Sequence, residues 1–418
     1  MSQVKTYALS EGVTLRTFLA PAFKTMRISV NLLVPAREDR AAAYGLLPYL
    51  VTRATRRYPD YTALGGRLAE LYGASLGSSV QKIGEYQVLS VSVDGIASCY
   101  AFGGENMFAE LAGLLLDVVF DPLKDSDGLF PLDGFLQEKR QQLEQKDSDF
   151  SDKMIYAHQR CHELLFEGGP AGIDRLGGRK QIEALRREDL ASAWEELLDQ
   201  AKVEIFVLGG CAPDLEWFRE RFSGIGGNRA LGPVPYTRTD FRRVTEEQTI
   251  AQSKLAMAFR ADVPPEDRQL FQLMSAVLGE PTSSKLFQKI REERGLCYYC
   301  DSAFSWVNGA LFVESGVETK DLDRVEAAVL EQLSALRNGE ITEAELRGAK
   351  LYLCNSLRSV GDSLHGVEGW YLGQSFAQEE LTPEQAAENL MKYTAADVAE
   401  AANRLVPAVV YRLKGSEC

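Results

Sequence analysis

Three stretches of the chain carry side chains whose types and spacing could do chemistry. His158 and His162 are four apart, about 40° round a helix, and so share one face. Cys161 lies on the same side, which gathers three donors for a borderline metal within one turn. The residue after His158 is Gln159, however, and no glutamate follows the zincin pattern. Met154, Ile155 and Leu165 fall on the same face, which favours histidines hydrogen-bonded against a packed surface. The second stretch is the CxxC string Cys297-Tyr-Tyr-Cys300. Thiol redox pairs of that spacing sit at a helix N-terminus, where the dipole lowers the thiol pKa. Here the string opens a strand, positions three apart point to opposite faces, and two buried small residues are expected. The third is Arg291 on the last turn of a helix, with Tyr298 on the strand beyond Gly295. A guanidinium and a phenol there either meet over a cleft or serve structure alone. In the structural case Arg291 pairs with a surface acid such as Glu292 and Tyr298 is sheet core.

The elements that must position this third pair are legible. Ser283–Glu293 reads as an amphipathic helix with Leu286, Phe287 and Ile290 on its apolar face. Lys285, Gln288, Lys289 and Glu292 are expected on the other face, with Thr282 or Ser283 as N-cap. Gly295 stops the helix where positive φ is wanted. Leu296–Val317 is rich in aromatic and β-branched residues and reads as two strands turning at Asn308-Gly309. Leu278-Gly-Glu-Pro-Thr-Ser-Ser284 is not a phosphate loop, having one glycine and no lysine–hydroxyl pair in place.

The same element order occurs twice. In the first half, strands to Pro35 precede helices at Gly45–Thr55 and Ala63–Tyr72 and a hairpin over Ser75–Val93. Helices at 103–119 and 134–165 follow, then a buried strand at Val203–Gly209. In the second half, strand Lys254–Arg260 leads to helix Glu266–Val277, helix Ser283–Glu293 and the hairpin Leu296–Val317. Long helices at Leu322–Arg337 and Glu343–Ser359 and a last strand, Ala408–Leu413, complete it. This order implies an α+β chain of two homologous domains, 1–224 and 240–418, each an antiparallel sheet with helices on one face. The expected link is Gly224–Thr239, with four glycines and two prolines.

Composition narrows the class. A chain of 418 residues exceeds one ordinary core, and 45% hydrophobic with 25% charged residues is the balance of a globular protein. A net charge of −14 argues against nucleic acid and anionic membrane surfaces as partners. No signal peptide or membrane-length apolar run is visible. The seven cysteines at 99, 161, 211, 297, 300, 354 and 418 are odd in number and scattered, which suits a reducing cytoplasm.

The segment Arg291-Glu-Glu-Arg-Gly-Leu-Cys-Tyr298 resembles the arginine-to-tyrosine motif in the second half of pitrilysin/insulinase-type (inverzincin) zinc peptidases, which include the mitochondrial processing peptidases. Gly45-Leu-Leu sits where the metal helix of that family begins, and Leu68–Gly73 is followed by a hairpin as the family has it. Leu165–Gly177 resembles the loop between the first-half helices. The four fragments stand in the family's order across both halves.

That resemblance implies a zinc site on the inverted motif His-x-x-Glu-His, with two histidines one helical turn apart and a glutamate that activates water. Aligned on Gly45-Leu46, Pro48 and Thr52 stand where the histidines belong and Val51 where the base belongs. Pro48, expected in a first helical turn, cannot ligate a metal. Of two acidic positions seven apart on the later helix, Glu138 matches the first, but the ligand position is Gln145. Glu138, Glu144 and Asp147 are expected on a solvated helix face. The implication is a chain with no metal or other cofactor and no catalytic residue of its own, inactive alone. Arg291 and Tyr298 are then the substrate-binding residues that it keeps. Its expected partner is a zinc-bearing subunit of the same family with an intact His-x-x-Glu-His, in a heterodimer acting on peptides. The alternative is a catalytically inactive scaffold or binding subunit, such as an accessory factor in protein modification.

Overall fold

The computed structural model describes residues 4–210, 213–238, 240–377 and 379–416. Cys211, Thr239 and Cys418, named above, lie outside the described residues. The chain divides into two compact units. The first comprises Met1–Asp147, Ile173–Ala230 and Val367–Leu372, and the second Ser148–Gly172, Leu231–Gly366 and Gly373–Cys418. The break at Ala230/Leu231 falls inside the glycine- and proline-rich stretch. Two short segments, 148–172 and 367–372, belong to the unit built mainly by the other half of the chain, which chain order alone does not show.

The first unit holds a six-stranded sheet of β1 (Lys5–Ser10), β2 (Val13–Leu19), β3 (Thr25–Pro35), β4 (Ser75–Ile83), β5 (Tyr86–Ile96) and β6 (Lys202–Gly209). Their order is β1-β2-β6-β3-β5-β4. Alternation along β3 sends Met26, Ile28, Val30, Leu32 and Val34 to one face, where they join the core under helices Ala41–Val51, Met107–Phe120 and Arg187–Gln200. The opposite face carries buried polar groups beside Leu33, Phe206 and Leu208. Ser29, Asn31, Ser90, Ser92, Arg16 and Glu204 are all buried there. Such groups must find partners. Arg16 Nε donates to Glu204 at 3.0 Å, and Ser90 Oγ donates to Asn31 Oδ1 at 2.5 Å. Glu368, only 4% exposed, accepts from Arg27 Nε, Ser29 Oγ and, at 3.1 Å, Asn31 Nδ2.

The second unit holds β7 (Arg242–Gln248), β8 (Ser253–Arg260), β9 (Cys297–Ser305), β10 (Ala310–Val317) and β11 (Val406–Gly415), in the order β7-β11-β8-β10-β9. Helices Arg268–Gly279, Leu322–Arg337 and Ala395–Asn403 cover one face over a core that includes Leu255, Met257, Leu311 and Val313. Helix Lys153–Leu165 lies on the other, against Ala256, Phe312, Val409 and Tyr411. From β2 onward the two sheet orders match strand for strand, β2-β6-β3-β5-β4 beside β7-β11-β8-β10-β9. The repeated α+β unit is therefore present in topology as well as in element order.

Four local readings need correction. Each sheet contains one parallel pair, β2 with β6 and β7 with β11, so the sheets are mixed and not purely antiparallel. The expected helix over 134–165 is two helices, Leu132–Ser151 and Lys153–Leu165. Asp152 starts the second by accepting from the backbone N–H groups of Met154 and Ile155 at 3.0 and 3.2 Å. Pro48 lies inside helix Ala41–Val51 and not in its first turn, because the helix begins four residues before Gly45. Strand β7 has no apolar alternation (Arg-Arg-Val-Thr-Glu-Glu-Gln) and was not expected. It forms as an edge strand because β11 offers it a backbone ladder.

Replacing Glu368 by Ala removes the acceptor shared by Ser29 and Asn31 and one of the carboxylates on Arg27. The expected loss is about 2–4 kcal/mol of unfolding free energy, measured by urea denaturation, with faster amide exchange in 367–372. An unchanged midpoint and exchange pattern would show that this carboxylate does not hold the segment.

Candidate functional site

Where the zinc helix of the resembled family would lie, the donors are absent or engaged. Pro48 is buried and has no donor, and Val51 is fully buried. The Thr52 hydroxyl lies 3.0 and 3.1 Å from the carbonyls of Pro48 and Tyr49, turned back on its own helix. Glu138 is not on a solvated face: it is 7% exposed and accepts from Arg53 Nη1 at 2.6 Å. Glu144 and Asp147 are exposed as expected, beside Arg140 and Arg179. Gln145 is exposed on the same helix. Gly45 has a packing reason. A Cβ there would stand 2.6 Å from the amide of Gln142, whose Nε2 bridges the carbonyls of Ala42 and Leu176. This donor set does not fit a zinc ion. Among the described residues no group of three or more His, Cys, Asp or Glu is arranged to hold one.

The Arg291 segment departs from a regular α-helix. It widens to a π-helical turn, Phe287–Glu292, in which Glu293 N–H reaches back to Gln288 O at 2.9 Å. Turns of this kind are rare and recur at functional sites. Neither Thr282 nor Ser283 caps it through a side chain. Leu286 and Ile290 are buried as expected, but Lys285 is buried as well, its ammonium 3.0 Å from Glu345. Gly295, at φ 59°, then turns the chain so that its N–H meets Arg291 O and that of Leu296 meets Ile290 O, both at 3.1 Å. Arg291 is left exposed, with its guanidinium 4.6 Å from the Phe287 ring centroid and 3.7 Å from the Glu292 carboxylate.

Tyr298 is placed by an irregularity in β9. Val317 pairs with Cys297 and Gly316 with Tyr299, so Tyr298 is the extra residue of a β-bulge. Its side chain is 66% exposed, which removes the sheet-core reading. The bulge also overturns the expected placement of the cysteines. The inserted residue brings Cys297 and Cys300 to the same face of the sheet, against one apolar core. Arg291 lies close enough to Cys297 and Asp301 for its charge to favour the ionised form of both. Side-chain contact between Arg291 and Tyr298 themselves is not part of this arrangement; what they share is the short turn that exposes both.

Sequence reasoning missed three neighbours. Glu280 is held by burial at a pKa of about 7, a hydrogen bond from Ser275 opposing the shift. Burial raises Asp301, and the nearby Arg291 limits the rise. Tyr352 is raised by burial and by the charges of both carboxylates. An acid directly after Gly279, at the end of the apolar run Ala276–Leu278, was the available signal.

The 158–162 turn packs as the bland reading has it. Cys161 is fully buried, and burial pushes its thiol far up; its Sγ lies 3.7 Å from Ala256 O. His162 stacks on Phe312 at 5.8 Å, and His158 Nδ1 hydrogen-bonds Glu314.

The two-unit α+β architecture is shared with a solved M16-type domain. A profile described as "Peptidase M16 inactive domain" matches residues 184–353. A "Probable inactive metalloprotease YmfF" of Bacillus subtilis is 25% identical over 97% of this chain and 96% of its own length. A conserved protein of Enterococcus faecalis superposes with a TM-score of 0.91 at 26% identity, covering 99% of both chains. A peptidase M16 inactive domain from Pseudomonas fluorescens superposes at 0.80 and 17% identity over 99% of both, a likeness of fold. The chain is similar to M16 (pitrilysin/insulinase-type) peptidases and to inactive members among them, and it lacks the His-x-x-Glu-His motif.

The raised pKa of Glu280 has a consequence for stability. Between the ordinary glutamate value and about 7 the folded state holds a proton that the unfolded state has lost, so stability falls as pH rises through that window. Glu280→Gln removes this fall. Relative to the parent, the variant should gain about 2 kcal/mol between pH 5 and pH 8, read from denaturant midpoints at the two values. Parallel pH dependence of parent and variant would show that Glu280 ionises normally.

Proposed function

We propose that the chain is the non-catalytic subunit of a two-chain zinc peptidase of the cytoplasm. In this reading Arg291 and Tyr298 serve a metal site held by a partner of the same family with an intact His-x-x-Glu-His. One observation carries the reading: Tyr298 is the inserted residue of a bulge that turns a phenol to solvent, just beyond an exposed Arg291, in a chain whose own zinc positions cannot bind metal. Bulges of this kind re-aim side chains beside active sites. An exposed tyrosine in a broken ladder contributes little to packing.

Arg291 would grip a backbone carbonyl or a carboxylate of the substrate, using the planar donor fork of its guanidinium. Tyr298 would donate a hydrogen bond to the oxyanion that forms on the scissile carbonyl. The substrates would be peptides or short unfolded segments. The scattered cysteines support the cytoplasmic assignment. No helix of the described residues is long and apolar enough to cross a membrane.

The test is peptide cleavage by the chain co-purified with its histidine-bearing partner. Tyr298→Phe should lower kcat by about 100-fold, the scale of a lost oxyanion donor, and Arg291→Ala should chiefly raise KM. The isolated chain should not cleave, with or without added zinc. Full activity of both variants in the complex would replace this reading with that of a scaffold or accessory binding subunit.

A further inference from the structure

A regular strand would send Cys297 and Cys300 to opposite faces. In β9 the bulge at Tyr298 changes that count. Cys297 pairs with Val317 and Cys300 with Ser315, and Val317 and Ser315 lie on one face of β10. Both cysteines therefore point to the helix-covered side, Cys300 buried and Cys297 half-buried against the same apolar cluster. Both thiols are free, and each is the leading influence on the other's ionisation. The other described cysteines stand elsewhere: Cys99 beside the end of β5, Cys161 in helix Lys153–Leu165 and Cys354 in helix Glu343–Ser359.

We propose that Cys297 and Cys300 are a thiol–disulfide exchange pair that closes across the Tyr298 bulge on reaction with a low-molecular-weight disulfide. Cys297 is the attacking thiol. It is the more accessible, and the hydrogen bond from Cys300, then that from Ser315 and the charge of Arg291, hold its pKa below the ordinary thiol value against the effect of burial. Cys300 is the resolving thiol, pushed well up by donating to Cys297 and by burial. In the first step the Cys297 thiolate displaces one thiolate from the small disulfide and forms a mixed disulfide. In the second the Cys300 thiol gives its proton to solvent, attacks the Cys297 sulfur and expels the second small thiolate. Two protein thiols are oxidised to one disulfide, one small disulfide is reduced to two thiols, and the departing thiolates take up the two protons.

This chemistry stands whether or not Arg291 and Tyr298 serve a partner's metal, and its test is separate. The full-length chain is equilibrated in mixtures of reduced and oxidised glutathione, quenched in acid, unfolded, alkylated and mapped by mass. The 297–300 peptide should lose two hydrogens and resist alkylation, while Cys161 and Cys354 remain alkylatable. In the native reduced chain iodoacetamide should modify Cys297 at least about tenfold faster than Cys300, the buried thiol of higher pKa. Cys300→Ser should trap glutathione on Cys297, and Arg291→Gln should slow alkylation of Cys297 about threefold. Glutathione left on Cys297 of the parent chain without an internal disulfide, or two thiols still reduced in an oxidised pool, would overturn the proposal. Both readings come from the unsubstituted protein and do not depend on a variant folding.

Discussion

A carboxylate that is 4% exposed in a protein interior must be met by donors or it unfolds what surrounds it. Glu368 is met by Arg27, Ser29 and Asn31, three residues from one face of β3. Around them that face holds hydroxyls, amides and charges beside Leu33, Phe206 and Leu208, and an apolar helix laid over its polar part would strand those groups. It is closed instead by a short segment from far down the chain that brings the one acceptor the face lacks. The second sheet solves the same problem in the opposite way. Ala256, Ala258 and Phe312 make its second face apolar, and helix Lys153–Leu165 covers it with Ala157, Cys161 and Leu165. Each half thus lends a helical segment to the unit of the other half, one by charge and one by burial.

Within the second unit the Arg291 turn is held from its buried side. Ile290 and Leu286 anchor the π-helical turn from below, Lys285 fixes its start to Glu345, and Gly295 folds it onto β9. With the buried side so fixed, Arg291 and Tyr298 have only solvent left to face. The lost zinc positions show the contrasting outcome. There the Thr52 hydroxyl turns onto its own helix and Arg53 donates to Glu138, so the positions that the resemblance assigns to the zinc site are occupied by internal bonds.

What could be read from the sequence followed from periodicity. The alternation of β3, the amphipathic pattern of 283–293 and the repeated element order pointed to the α+β class and the duplication, whereas the Arg/Tyr motif came from the family resemblance. Features set by non-local pairing were not legible. The position of β11 between β7 and β8, and its parallel run beside β7, depend on residues more than a hundred positions away. β7 carries no apolar pattern at all. The bulge escaped for a related reason. Cys-Tyr-Tyr-Cys fits a regular strand equally well, and only its register against Gly316 and Val317 shows the inserted residue. That single slip decides both the exposure of Tyr298 and the common face of the two thiols, the two points on which the site reading changed most. Lys285 was misassigned because its burial depends on a distant partner, the Glu345 carboxylate 3.0 Å from its ammonium.

The sheet order also bears on how the chain can be made. In each half the final strand, β6 or β11, enters the middle of its sheet, with Val13 finding its partner at Val203 and Arg242 at Val409. Neither sheet can close from its start as the chain leaves the ribosome. The first unit must wait longer still, since 367–372 completes it and emerges after most of the second half. Pairings this distant are slow to form, and the intermediates leave sheet edges open in the meantime. The emerging amino-terminal half therefore leaves the buried polar groups of its sheet without their last partner until nearly nine-tenths of the chain has been synthesised.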